Sequence, residues 1–473
     1  MGKALTTVKN RILNILFWSI ISAAFIGPGT VTTATKAGAD FQFQLLWALS
    51  FSTFACLVLQ EASARATIYS KMNLGQAIKF HFTGSKAQVP VLIMIVGAII
   101  LGCAAYETGN ILGSVEGLSL VFTGVDKRIF VAAIALIAGL ALSLKSLRSM
   151  ANFMGSFVFI MGATFITTAV FAKPPIEEII KGMFVPSFPN TSGAGLLVLG
   201  LVGTTVVPYD LFLGSNVVQR DTTVRDMRIG ISTAVILGGF ISMAILSVGT
   251  EMTRGLTPEA VKNLGFSYKL LSQTLVINIG QWALYIFGFG MFAAGFTSAI
   301  TSPLASALTA KSIFAKRNAD GSLKKPNAFQ WVAYLVLAIG IVLGFLQIKP
   351  VPAIVAAQAF NGLILPFVSI FLFMVVNDKK VMGEEHLNGK FSNVLMIIVT
   401  WVTLILGIVN VVKAVSTATG FTFGADDLFL AAGGIALVLT IWISVHIFRK
   451  RKKSLAEPED PGFHKRELSE EEN

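Results

Sequence analysis

Apolar residues in this chain gather in stretches of about twenty, separated by short polar connections, with neither strand alternation nor a narrow amphipathic stripe. A helix of about 20 residues covers the roughly 30 Å of hydrocarbon in a bilayer, so each stretch predicts one membrane crossing. Crossings are expected at approximately 12–38, 43–68, 89–112, 128–146, 150–172, 194–218, 228–250, 280–303, 329–348, 352–376, 392–413 and 427–448, twelve in all. The first has no small-residue cleavage site ahead of a soluble domain and is expected to persist as a helix. Two crossings are interrupted at their middles: the first by Gly27-Pro28-Gly29-Thr30, the sixth by Val207-Pro208-Tyr209-Asp210. Hydrocarbon offers freed N–H and C=O groups no partner, so a broken helix at that depth is satisfied by protein or lines a cavity. Breaks at matching places in two halves point to a midplane binding site between inverted repeats.

Composition agrees with that pattern: 54% of the 473 residues are hydrophobic and 13% charged, far outside the range of a soluble protein. The net charge of +12 does not point to nucleic acid, because the basic residues lie in connections that flank the spans. Lys3, Lys9 and Arg11 precede the first crossing; Lys71, Lys79 and Lys86 follow the second; Lys145 and Arg148 the fourth; Arg220, Arg225 and Arg228 the sixth. Lys311, Lys316, Arg317, Lys324 and Lys325 follow the eighth, Lys379, Lys380 and Lys390 the tenth, and Arg449 to Lys453 the last. The positive-inside tendency then predicts a multi-pass protein of the cell membrane with both termini cytoplasmic: an N-terminal segment 1–11 and a disordered tail 449–473. The basic start of that tail suits a stop-transfer flank or contact with anionic lipid. Connections 173–193 and 251–279 have room for short surface helices. Cys56 and Cys103, both inside spans, read as small buried hydrophobes. The four histidines are scattered and no Walker-type phosphate loop is present, so an enzyme, a cofactor or ATP drive is not expected.

The motifs around the breaks resemble a known family. Gly27-Pro28-Gly29-Thr30, then Ala37-Gly38-Ala39 and Leu45-Leu46-Trp47, resembles the first-helix DPGN…AGA…LLW of the Nramp (natural resistance-associated macrophage protein) divalent-metal transporters. The stretch from Gly203 to Leu213 is similar to the family's sixth-helix GATVMPHNLYL, and Ala294 to Thr301 to its eighth-helix ASGQSSTIT. Gln358 with Leu365-Pro366-Phe367, then Asp378-Lys379-Lys380 and Met382-Gly383, resembles its tenth-helix region. The likeness runs over roughly residues 10–390. It implies an all-α, leucine-transporter-type fold with unwound first and sixth helices: a first inverted repeat at 12–172, a second at 194–376, and two added helices at 392–448.

The departures fall on the chemistry. The family holds its metal through the Asp and Asn of DPGN, a sixth-helix carbonyl and the sixth-helix Met; here Gly27, Thr30, Thr204 and Val207 stand at those places. A thioether favours soft transition metals and a carboxylate offsets the dehydration of a dication, so loss of both argues against Mn²⁺ or Fe²⁺. The family's sixth-helix histidines, linked to proton movement, are replaced by Tyr209 and Gly214, and its third-helix acids become Glu107 and Asn110. What remains is a polar, uncharged pocket formed by Gly27, Gly29, Thr30, Thr204, Val207 and Tyr209, with the hydroxyls of Thr32, Thr33, Thr205 and Ser215 nearby. N–H groups at the starts of two half-helices favour an anion there.

Secondary active transport of a small anion, bicarbonate or a short carboxylate, is therefore the leading expectation, coupled to Na⁺ or H⁺. Thr297 and Ser298 on the eighth helix are spaced to hold Na⁺ against carbonyls of the first, or else bond back to backbone. Glu107 is a proton-route candidate. Asp210 either faces the pocket, where it would serve Mg²⁺ or Na⁺ by oxygen ligation, or faces helix three or eight as a structural or coupling group. Transport of Mg²⁺ is the first alternative and a non-transporting sensor on the same scaffold the second. Lys36 attracts anions at an entrance or pairs with Asp40 at i,i+4, and Glu61, like Glu107, requires a partner.

Overall fold

The computed structural model describes residues 17–144, 147–187, 189, 194–219, 222–254, 268, 273, 276–277, 280–315, 329–419 and 425–456. Expectations for segment 1–11, for Lys145, Arg220, Lys316, Arg317, Lys324 and Lys325, and for the tail beyond 456 lie outside them. The described residues form helices and no strand. Each expected crossing falls on a helix. The first is α1 (residues 17–25) with α2 (Pro28–Phe41), and the second is α3 (Leu46–Ser70). A short α4 (Leu74–His81) leads to α5 (Gln88–Val121), α6 (Lys127–Leu142) and α7 (Leu147–Phe171). After α8 (Ile176–Phe184), a surface helix in the 173–193 connection, the sixth crossing is α9 (Ala194–Thr205) with α10 (Pro208–Val217). Then follow α11 (Val224–Thr253), α12 (Gln281–Phe314), α13 (Gln330–Phe345), α14 (Pro350–Val375), α15 (Lys379–Met382), α16 (Lys390–Thr419) and α17 (Ala425–Ala456). Among the described residues eight helical stretches are long and apolar enough to cross a membrane, Pro28–Ser70 counted as one, beside the shorter apolar helices Gln330–Phe345 and Asn361–Val375. Helix α17 runs to Ala456, so residues 449–456, expected in a disordered tail, are helical.

The two breaks share one local cause. A residue before proline is driven out of the helical region, and proline, lacking N–H, is well placed at the first position of a new helix. Gly27 is extended (φ −114°, ψ −174°) before Pro28, and Val207 is extended (φ −97°, ψ 125°) before Pro208. Around them the helices sort into two bodies. In one, α2 and α3 pack on α11, with α9 against both α2 and α3; Gly38 lies so close to the backbone of α11 that a side chain there would start 2.0 Å from Leu246 O. In the other, α5 packs along α12 and both contact α13. There Gly117 and Gly288 face one another, and a Cβ on Gly117 would lie 2.6 Å from Gly288 O. Small residues let helix backbones approach this closely where no hydrophobic force drives association. The added pair follows α14, with α16 packed on α14 and α17 on α16.

Candidate substrate site at the paired helix breaks

The breaks come together between the two bodies. Because Pro28 has no N–H and Gly27 N turns to Phe25 O (3.1 Å), the last carbonyls of α1 lose their helical partners. Hydroxyls from three elements replace them. Ser298 Oγ on α12 donates to Ala23 O (3.2 Å), Tyr209 Oη on α10 to Ala24 O (2.8 Å), and Thr30 Oγ1 on α2 to Phe25 O (2.6 Å). Thr30 Oγ1 also lies 3.5 Å from Thr204 O, so the first break touches the second. Thr30, Thr204, Tyr209 and Ser298 are each at most 2% exposed, which makes the site closed on all sides.

The glycines leave room that neighbours occupy. A side chain on Gly27 would begin 2.8 Å from Ser298 Oγ and 3.5 Å from Asn110 Oδ1, and one on Gly29 would begin 2.6 Å from Gln358 Nε2. Val207 is buried and apolar, and the Thr204 and Thr205 hydroxyls both turn back to Leu201 O (3.1 and 3.0 Å). Thr297 Oγ1 likewise bonds within its own helix, to Ala293 O (3.0 Å) and Ala294 O (3.2 Å), so of the expected hydroxyl pair only Ser298 meets the first helix. Thr32 donates to Pro28 O (2.6 Å) and contacts the Tyr268 hydroxyl (2.5 Å), which covers one side of α2. Ser215 lies away from the breaks, accepting from Leu74 N (3.2 Å).

Both buried acids have amide partners. Glu107 Oε2 accepts from Asn110 Nδ2 (3.4 Å) on the same helix, while its Oε1 has no hydrogen-bond partner. Asp210 turns toward neither helix three nor helix eight: its Oδ2 accepts from Gln60 Nε2 (2.8 Å) on α3, the second crossing. The reason is Gly214, one turn further along α10. With no side chain there, the Gln60 amide lies over the helix, its Oε1 2.3 Å from where a Cβ would stand. Glu61 finds Arg65 (3.1 Å) and Arg228 (2.8 Å), and Lys36 pairs with Asp40 (2.6 Å).

Helix α14 contributes groups left out of the expected site: Gln358, read only as part of the tenth-helix motif, and Asn361. Gln358 Oε1 accepts from Thr33 (2.9 Å), but Gln358 Nε2, over Gly29, is a buried donor without a partner, and Asn361, one turn on, faces the Tyr106 hydroxyl. The Tyr106 ring is edge-on to that of Tyr209 at 5.9 Å. The available signal was two amides spaced i,i+3 in an otherwise apolar span. Among the described residues no three of His, Cys, Asp and Glu come together.

Two bodies of packed membrane helices closing around a pair of opposed helix breaks define a multi-pass secondary transporter of the leucine-transporter type. A family model described as natural resistance-associated macrophage protein-like matches residues 19–413, and the chain belongs to the Nramp family. The divalent metal cation transporter MntH of Bacillus subtilis is 26% identical over 401 residues, 82% of this chain and 88% of that protein. MntH of Staphylococcus saprophyticus is 26% identical over 432 residues, covering 84% and 90%. In fold, the chain is similar to the Eremococcus coleocola manganese transporter (TM-score 0.72, 17% identity, 95% of this chain and 96% of the other). It is similar also, more distantly, to the nucleobase-cation-symport-1 transporter Mhp1 (TM-score 0.50, 16% identity, 92% and 93%).

Proposed function

We propose that this transporter carries a small oxyanion, with bicarbonate as the first choice and short carboxylates as the wider class, and does not carry transition metals. The observation that supports it most is the hydrogen-bond inventory at the first break. The carbonyls of Ala23, Ala24 and Phe25, which a cation would use, are each taken by a hydroxyl, whereas the unpartnered groups nearby include the N–H donor of Gln358 over Gly29. Donors held away from water bind an anion without a full positive charge beside them. The side chains at Gly27, Thr30 and Val207 offer a metal neither carboxylate nor thioether. The bound anion sits against Gly27, Gly29, Thr30, Thr204, Val207 and Tyr209 and is exchanged by alternating access from a cell membrane with both termini in the cytoplasm.

An anion entering a negative interior requires drive, since each charge crossing 100 mV costs about 2.3 kcal/mol. Symport with Na⁺ held by the Thr297 and Ser298 hydroxyls, in a state where Ser298 has released Ala23 O, would supply it, with H⁺ through Glu107 as the other route. Mg²⁺ ligated by Asp210 is the rival reading, and the Gln60 partner weighs against it by drawing the carboxylate toward α3. Purified protein in liposomes, offered bicarbonate, formate, Mg²⁺ and Mn²⁺ with and without a Na⁺ gradient, is expected to move bicarbonate and to leave Mn²⁺ outside. Saturable micromolar Mn²⁺ uptake would reject the reading; no flux of any substrate would favour a sensor.

A further inference from the structure

At the foot of the two added helices, the start of α16 and the end of α17 enclose a groove with a volume of about 590 Å³. Its wall has two chemistries. Lys390, Arg451 and Lys452 line one part, and Val394, Ile397 and Phe448 another. Arg451 is held in place: its guanidinium donates to Asn377 Oδ1 and Asn388 O, both at 2.8 Å, and Asn377 and Asn388 both donate to Asn393 Oδ1 (2.9 and 3.2 Å). The cationic end of the groove is therefore built on a buried amide cluster. Lys390 and Lys452 extend from exposed positions on either side.

The apolar part opens onto the outer surface of the helix pair. Phe391 is 74% exposed and Val394 51%, and higher on α17 Trp442 and Val438 are each 68% exposed. Side chains of that kind on membrane-spanning helices face acyl chains, so the groove lies where the apolar surface of the pair meets its cationic end. A ligand that fills both parts has an anionic head joined to hydrocarbon. Three basic residues along the groove suit a net negative headgroup, and a water-soluble anion would leave the apolar part unfilled.

We propose that this groove binds an anionic phospholipid, the phosphate held by Lys390, Arg451 and Lys452 and one acyl chain laid over Val394 and Phe448. The site is separate from the substrate pocket and independent of what is transported. The test uses the full-length protein, delipidated in detergent and examined by native mass spectrometry with phosphatidylglycerol or phosphatidylcholine of matched chains. One phosphatidylglycerol is expected to be retained in preference to phosphatidylcholine. Lys390→Gln and Lys452→Gln should each weaken retention about five-fold, in line with the attraction of one basic side chain to an anionic surface. Val394→Trp, which fills the apolar part and spares every cation, should also reduce it. Arg451 is left intact because it holds the amide cluster, and size exclusion with thermal melting checks that each variant is folded. Equal retention of the two lipids, or retention unchanged in the variants, would overturn the proposal. So would displacement of phosphatidylglycerol by equimolar inorganic phosphate, which would make the groove a free-anion site.

Discussion

Asp210 illustrates how a single side chain separates the possible substrates. Its carboxyl is 1% exposed, has Gln60 as its hydrogen-bond donor, and keeps Oδ1 unpartnered. Among the described residues no ion pair includes it, so no lysine or arginine offsets its burial. If the substrate is an anion bound at Gly27–Thr30, the Asp210→Asn variant retains the Gln60 bond through its side-chain oxygen, and bicarbonate flux should persist or rise. A Mg²⁺ carrier would lose a ligand charge and most of its activity. Isotope uptake by the two proteins in parallel decides the matter, and Mg²⁺ flux in the parent abolished by the change would reverse the assignment. Gly27 teaches the complementary lesson. Restoring an acid there meets Ser298 Oγ at Cβ, before any carboxylate is placed, so recovering a metal site would require the surrounding partners to change as well.

At the scale of helices, close packing and interfacial ties do different work. Gly117→Val would drive a side chain against the backbone of α12, with Phe292 N at 2.5 Å and Gly288 O at 2.6 Å from Cβ, and backbone cannot rotate aside. Overpacking of this kind costs about 1–3 kcal/mol or more, so a clear fall in melting temperature is expected, read by intrinsic fluorescence in detergent. The tie between α4 and α15 depends on pH instead. Burial would raise the Asp378 carboxyl, but the His81 bond (2.5 Å), the Lys380 backbone N–H (2.9 Å) and the nearby Lys450 ammonium together hold it below the ordinary range. His81 Nε2 stands 3.2 Å from Lys450 Nζ, so His81 links that lysine to Asp378. A carboxyl depressed in the folded state stabilises above its unfolded value, about 3.9, and loses that contribution as pH falls through the folded one. The stability gap between the parent and Asp378→Asn should therefore be level from neutral pH down to about 5 and shrink below about 4. A gap that closes between pH 6 and 7 would contradict the assignment. Elements of this kind differ in how far sequence reveals them. The helical stretches and both breaks were legible because hydrocarbon thickness and proline chemistry are local constraints. The Gln60–Asp210 bond joins residues 150 apart, and no local rule predicts it. The helical run through Arg449–Lys453 was misread from charge alone, although lysine and arginine are good helix formers.

For the whole molecule, the division into two bodies explains why the site lies where it does. The pairs α2–α11 and α5–α12 are packed through glycines and form stiff units; across the breaks Pro28 packs on Gly113 of α5, and the other ties are polar or aromatic contacts such as Ser298 to Ala23 O and the edge-on Tyr106–Tyr209 pair. Bonds of that kind contribute about 1 kcal/mol each, small enough to exchange during a rocking motion, while the glycine seams are not. With every residue of the proposed site at the breaks buried, the present arrangement is a closed one, and on that proposal substrate would enter only when one body tilts from the other. Tyr268 is positioned to resist that on one side, its hydroxyl 2.5 Å from Thr32 on α2. A reporter follows from the cysteine inventory. Cys56 and Cys103 are buried, so a Thr204→Cys variant carries one informative thiol at the second break. In liposomes a small impermeant thiol reagent is expected to label it slowly, and Tyr268→Phe, by removing the hydroxyl that meets Thr32, should speed labelling from the side that α2 faces while leaving the opposite side unchanged. Equal acceleration from both sides would mean general loosening, and no acceleration would mean that Tyr268 does not hold the gate.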